Sequence, residues 1–255
     1  MDSPVRDAVQ RQFSAAASGY ANSAVHAAGP DLPVLLEAAD PAPHEVALDI
    51  ATGAGHTAMT LAPRCARVVA NDITEGMLEV ARENAQQRKI TNISFEAGDA
   101  EALDYPPESF DLVTCRVSAH HFPHPGRFAA EAARVLRPGG RMVLIDTISP
   151  EDPALDTFEN TIEYLRDNSH VRNWRAAEWL QMLGTAGFKT EVVARSGYEL
   201  DGHAWVTRMK TPADNVAMIR KLFAEASPAW RGYLEVRDEP WGWTVPYGIF
   251  KAVKY

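Results

Sequence analysis

The chain has 255 residues, 46% of them hydrophobic and 23% charged. That composition excludes a disordered polymer, supports a sizeable core without disulfide or metal, and makes for one or two domains. With 34 acidic against 25 basic residues the net charge is −9, so phosphate backbones are repelled and neither DNA nor RNA is an expected partner. Cys65 and Cys115 lie in apolar runs, the first residues lack a signal-peptide core, and no run approaches 18 uninterrupted apolar residues; a cytoplasmic chain without a membrane span is expected.

Residues 1–40 read as a helical cover. Val46–Ile50 is a short strand, Gly55–Ala62 a helix stopped near Pro63, and Arg67–Asp72 a second strand. Glu75–Lys89 reads as a helix capped by Thr74, with Met77, Leu78, Val80 and Ala81 towards the core. Ile93–Glu96 and Phe110–Cys115 are strands, Arg127–Leu136 a helix, Pro138-Gly139-Gly140 a turn and Arg141–Ile148 a fifth strand. Such alternation predicts an α/β fold, a mostly parallel sheet with helices on both faces.

After Asp146 the pattern changes. Ala154–Arg166 and Arg175–Ala186 read as helices, Gly187 stopping the second. Phe188–Ala194 and Trp243–Val253 are strands separated by a helical stretch over Gly202–Ala226, which suggests an antiparallel finish to the sheet. The expected organisation is a single domain: a cover over 1–40, a ligand-binding core over 45–148, a helical cap over 150–242 and a final strand over 243–253.

Leu48-Asp49-Ile50-Ala51-Thr52-Gly53-Ala54-Gly55 carries the first functional signal. A strand runs into a Gly-x-Gly turn that opens a helix, so the backbone can approach a ligand closely and the helix start offers free N–H groups. Asp72 ends the second strand roughly 20 residues beyond the first glycine, where a carboxylate can accept from two ribose hydroxyls. Two nucleoside classes remain open at this point, because Ala58 would also pass as the third position of a dinucleotide motif.

Three further blocks join the first: Asn71-Asp72-Ile73-Thr74-Glu75-Gly76-Met77-Leu78, Gly98-Asp99-Ala100-Glu101-Ala102-Leu103 followed by Phe110-Asp111-Leu112-Val113, and Glu131 to Gly140 ending in Arg137-Pro138-Gly139-Gly140. Together, over about residues 45–148, they resemble the class I S-adenosylmethionine-dependent methyltransferases, in the branch of the ubiquinone/menaquinone-biosynthesis C-methyltransferases. The resemblance implies a Rossmann-like seven-stranded sheet with an antiparallel last strand. It implies S-adenosylmethionine as cofactor and S-adenosylhomocysteine as product. Asp49 and the backbone of Ala51, Thr52, Gly53 and Gly55 would hold the methionine end, Asp72 the ribose, and Ile73 would flank the adenine. Asp99 would accept from the adenine amine and Ala100 would offer its N–H. Tyr20, Met77 and Arg116 complete the implied cofactor residues; Arg116 is equally suited to an anionic substrate or an ordinary salt bridge. Ala51-Thr52 replaces the family's frequent Gly-Cys pair, but both residues are small.

Methyl transfer from a sulfonium is an in-line displacement, so the protein mainly positions the nucleophile and removes its proton. His120 and His121, after the fourth strand, are the candidate bases. A metal at His120, His121 and His124 is not expected: Pro123 and Pro125 break the helical face and no acid or cysteine completes a short ligand set. All six tryptophans follow residue 173, which suggests either a cap that encloses an apolar small molecule or a small cap that needs large residues for its core. The function so implied is methyl transfer to a small, partly apolar molecule. The alternatives are an NAD-linked oxidoreductase, against which the Asp99 block counts, and a non-catalytic S-adenosylmethionine-binding protein.

Overall fold

The computed structural model describes residues 4–21 and 29–255, with side chains for residues 4–14 and from residue 29 onward. Five strands, β1 (Val46–Ile50), β2 (Arg67–Asp72), β3 (Ile93–Ala97), β4 (Phe110–Arg116) and β5 (Leu136–Ser149), lie parallel in the order β3-β2-β1-β4-β5. The short β6 (Trp174–Arg175) adds to the end of β5. β7 (Phe188–Asp201) forms the outer edge, and β8 (Gly242–Lys254) is inserted between β5 and β7, antiparallel to both. This is the expected mostly parallel sheet. The antiparallel last strand lies inside it, and the edge belongs to β7.

The central strands are covered on both faces, so β1 is an almost uninterrupted buried run. Leu48, Ile50, Val113 and Leu144 pack with Phe128 of α5 (Pro125–Val135) and Trp179 of α7 (Ala176–Thr185). Ala47, Val68, Leu112 and Val143 point the other way, towards Leu35 of α2 (Asp31–Ala39) and Leu61 of α3 (His56–Leu61). At α4 (Glu75–Gln87) Thr74 has the extended backbone of a cap, but its hydroxyl makes no cap bond; its own N–H donates to Asp72 Oδ1 at 2.9 Å instead. Pro138-Gly139-Gly140 turns within β5: Gly139 has φ +75°, and the ladder jumps from Phe110–Leu136 to Leu112–Arg141. Cys65 and Cys115 are both free and buried. Among the described residues no helix is long and apolar enough to cross a membrane.

β7 and β8 pair over their whole length, from Phe188–Lys254 to Asp201–Gly242, whereas β5 pairs with β8 only from Arg141–Val253 to Thr147–Tyr247. The two strands therefore overhang the C-terminal ends of the parallel strands. On the overhang sit α6 (Pro153–Arg166), α8 (Gly202–Arg208), α9 (Ala213–Glu225) and α10 (Pro228–Tyr233). The single helical stretch expected over Gly202–Ala226 is broken, because Pro212 disfavours helical backbone in the residue before it.

Four tryptophans, Trp205, Trp230, Trp241 and Trp243, build the cap's core with Ile219 and Phe223, while Trp179 belongs to the core against the sheet. Trp243 is 2% exposed and packs edge-on against Trp205 and at a tilt against Phe223 and Trp241. Removing it leaves a void in that core. Trp243→Ala should cost about 3–5 kcal/mol in urea unfolding; a cost under about 1 kcal/mol would mean the cap core relaxes around the void.

Candidate active site

β1 and β4 are neighbours, yet the chain leaves β1 for α3 on one face and β4 for α5 on the other. A crevice opens between the two departures, at the carboxyl ends of the strands. The loop after β1 bends through Ala51 (φ +52°), Gly53 (φ +55°) and Gly55 (φ +82°). A Cβ on Gly53 would lie 3.4 Å from Met77 Cε; one on Gly55 would lie 3.0 Å from Ala81 Cβ, so Gly55 serves the approach of α3 to α4.

Three strand-end carboxylates shape this side. Asp49, 1% exposed, accepts from Thr52 Oγ1 at 2.5 Å and from Thr114 Oγ1 at 2.7 Å. Burial pushes its pKa up to about 6, against the two hydroxyls that favour its charge. Asp72 accepts from Gly53 N at 2.8 Å through Oδ2 and from Thr74 N through Oδ1, and burial raises its pKa as well. Asp99 accepts from Glu101 N at 2.9 Å and pairs with Arg6 at 2.8 Å. Arg6 belongs to α1 (Pro4–Ala21), which lies across the crevice. Gln10 donates to Ile73 O at 2.9 Å, Gln12 to Met209 O at 3.0 Å, and Phe13 packs against Ala54 and Met77.

On the other side, Arg116 forms a buried two-pronged ion pair with Asp31 through Nε and an η nitrogen. Burial opposes the Arg116 charge, and Asp31 more than restores it. Val117 follows with φ +53°, a left-handed conformation that costs a β-branched residue about 1–3 kcal/mol. Then come the histidines. The segment after α6 clamps their turn: Val171 and Arg172 donate N–H bonds to His120 O at 2.9 and 3.0 Å. His120 Nδ1 bonds Asp146 Oδ1 at 2.7 Å, and Thr147 N bonds the same oxygen at 2.9 Å. His121 Nδ1 bonds Ser169 O at 3.0 Å, and its ring meets Phe13 edge-on at 5.0 Å.

Their electrostatics separate them. Burial alone would depress the His120 pKa, but the Asp146 charge and hydrogen bond outweigh it and raise the value above 6.5. His121 has no carboxylate bond; burial and the neighbouring His120 push it down to about 3. His170, whose Nε2 bonds Asn160 Oδ1 at 3.1 Å, is likewise held well below its ordinary value by burial and then by His120.

One cavity joins both sides. Of the sequence-predicted residues, Asp49, Ala51, Thr52, Gly53, Asp72, Ile73, Met77, Asp99, Ala100, Arg116, His120 and His121 line it. Gly55 does not line it, for the packing reason above, and the Tyr20 side chain lies outside the described residues. Of the tryptophans only Trp205 is on its wall, beside Leu200 and Val245 from the strand overhang.

Residues 48–144 match a family model described as a methyltransferase domain. The uncharacterized methyltransferase YcgJ of Bacillus subtilis (strain 168) is 38% identical over 207 residues, 81% of this chain and 82% of that protein. The chain belongs to the class I S-adenosylmethionine-dependent methyltransferases. The crystal structure of YcgJ matches it with a TM-score of 0.85 at 33% identity, over 88% of this chain and 97% of YcgJ. The demethylmenaquinone methyltransferase of Deinococcus radiodurans is 43% identical, but only over 105 residues, 40% of this chain and 43% of that enzyme. As an S-adenosylmethionine-dependent methyltransferase, the chain no longer supports the nicotinamide alternative.

Several residues on this methyltransferase's cavity escaped the sequence: Arg6 from α1, Glu163 and Arg166 from α6, and Arg208 from α8. They lie outside any motif, and only the fold brings them in. Asp146 did carry a signal. It is an acid near the end of a parallel strand, as Asp49 and Asp72 are, next to the strand that leads to the histidines.

In an NMR titration His120 should titrate above 6.5 and fall below it in Asp146→Asn, where burial acts without the carboxylate. Because the folded pKa is raised, the stability from the protonated pair is full below 6.5 and is lost as pH rises through the raised value; in Asp146→Asn, with the pKa depressed, the dependence should reverse and stability should fall as pH falls. A His120 titration unmoved by the substitution would refute this cause.

Proposed function

We propose that this methyltransferase transfers the methyl group of S-adenosylmethionine to a small, partly apolar molecule, with His120 as the general base. The reading is carried by the cavity, which reaches from the Gly53–Asp72–Asp99 crevice to an apolar wall of Leu200, Trp205 and Val245.

The residues present suit the cofactor. Asp72 accepts one backbone N–H on each oxygen, and a carboxylate offers about four acceptor positions, so capacity remains for the ribose. Gly53 lets the chain approach without a Cβ, Ile73 and Ala100 offer walls for the adenine, and Asp99 an acceptor for its amine. Asp49 braces the loop at the methionine end through Thr52.

S-adenosylmethionine supplies an electrophilic methyl group on a sulfonium. What remains for the chain is to align the acceptor, exclude water and take a proton. The Asp146 carboxylate fixes the proton of the neutral His120 ring on Nδ1, so Nε2 carries the lone pair, and the ring still lines the cavity. His121, with a pKa near 3, is too weak a base for this task and donates its Nδ1–H to Ser169 O.

Isothermal titration with S-adenosylhomocysteine tests the cofactor half. Asp72→Ala should weaken binding by about 1.5–3 kcal/mol, the worth of hydrogen bonds to a charged group. Asp99→Asn, which keeps an acceptor oxygen, should weaken it less. No binding by the wild-type chain, or an unchanged dissociation constant in a folded Asp72→Ala variant, would overturn the assignment.

A further inference from the structure

The charges around the cavity are sorted by end. Near the first loop stand the carboxylates of Asp49, Asp72, Asp99 and Glu101, answered by the guanidinium of Arg6. That excess of acid suits a donor that carries a positive sulfonium. At the cap end the sign reverses: Arg166 and Arg208 line the wall, with Glu163 as the acid beside them. In a chain of net charge −9, a cationic pocket end runs against the overall composition.

Two helices place these arginines. Arg166 is the last residue of α6 and Arg208 the last of α8. Arg166 is set in position. Its guanidinium lies over the Trp205 ring at 4.7 Å, and its Nε donates to Trp205 O at 3.3 Å. Its side chain is only 11% exposed, so its charge acts through a medium that screens it poorly. Glu163 approaches an Arg166 η nitrogen no closer than 3.7 Å, longer than a hydrogen bond. Burial raises the Glu163 pKa, while the charges of Arg166, His120 and Arg208 oppose the shift. The planar fork of Arg166 has further donors for a two-oxygen partner. Arg116, by contrast, is already matched by Asp31.

We propose that the cap end is an oxyanion subsite, and that the methyl acceptor is an apolar molecule bearing one carboxylate or phosphate monoester group. Arg166 and Arg208 hold that group, and Trp205, Leu200 and Val245 cover the apolar body. The inference rests on the methyl-transfer reading, since it makes this end of the cavity the acceptor's.

The test is isothermal titration of four probes of one shape, benzoate, phenyl phosphate, benzyl alcohol and benzylamine, with and without saturating S-adenosylhomocysteine. At least one anionic probe should bind about tenfold tighter than the neutral and cationic ones, and the order of benzoate and phenyl phosphate names the group. Arg166→Gln and Arg208→Gln should each remove most of that preference while the affinity for S-adenosylhomocysteine stays unchanged. Arg166→Lys, which keeps the charge, should retain part of it. Equal or tighter binding of benzyl alcohol or benzylamine, no binding of either anion, or an undiminished preference in both glutamine variants overturns the subsite. A chain that selects the anions but fails to bind S-adenosylhomocysteine overturns the cofactor reading instead.

Discussion

The loops after β1 and β4 part on either side of Asp49, and its buried carboxylate ties them together. One oxygen holds Thr52 in the first loop and the other holds Thr114 in β4. A carboxylate with almost no solvent is expensive to keep charged, which is why its pKa climbs to about 6. The two hydroxyl bonds offset part of that cost. Ser118, beyond the strained Val117, closes the same junction by donating to Ala51 O at 3.3 Å. The backbone of the first loop, the end of β2 and the turn that carries the histidines are all positioned from this point.

A second constraint is the unequal length of the strands. Because β7 and β8 continue past Thr147 of β5, the sheet ends in a ledge of two strands. The ledge supplies Leu200 and Val245 to the cavity wall and carries the tryptophan-rich core of the cap. Most tryptophans here are structural. They give a small cap enough buried area to hold its shape, and the shape brings the ends of α6 and α8 over the crevice.

The adjacent histidines show how far environment outweighs residue type. Both rings are half-buried beside one another, at 4.3 Å between centroids, and two positive charges there would repel. The carboxylate of Asp146 decides which ring takes the proton; His121, left with a backbone carbonyl, stays neutral. The polar groups of 167–173 fold around this pair, so the cap is joined to the strand ends by hydrogen bonds as well as by apolar contact.

The local pattern of the sequence determined the sheet's parallel half and the acidic side of the crevice. Apolar runs between amphipathic helices, glycines at the turn and acids at the strand ends are short-range features, and Arg67–Asp72 and the start of α4 at Glu75 fall where they place them. Spacing marked Asp72, and the family resemblance added Asp49 and Asp99 to the same crevice. Only the tertiary structure decided the rest. That Gly55 meets Ala81 and not the cavity depends on how two helices cross. Whether a tryptophan lines a pocket or fills a core depends on which strand overhangs. The partners of His120, and the meeting of Arg166 with Trp205, join residues 26 and 39 positions apart. Local periodicity sets which face of an element is buried; it carries no information about which distant side chain shares that burial, and the pKa of a buried group depends on that neighbour.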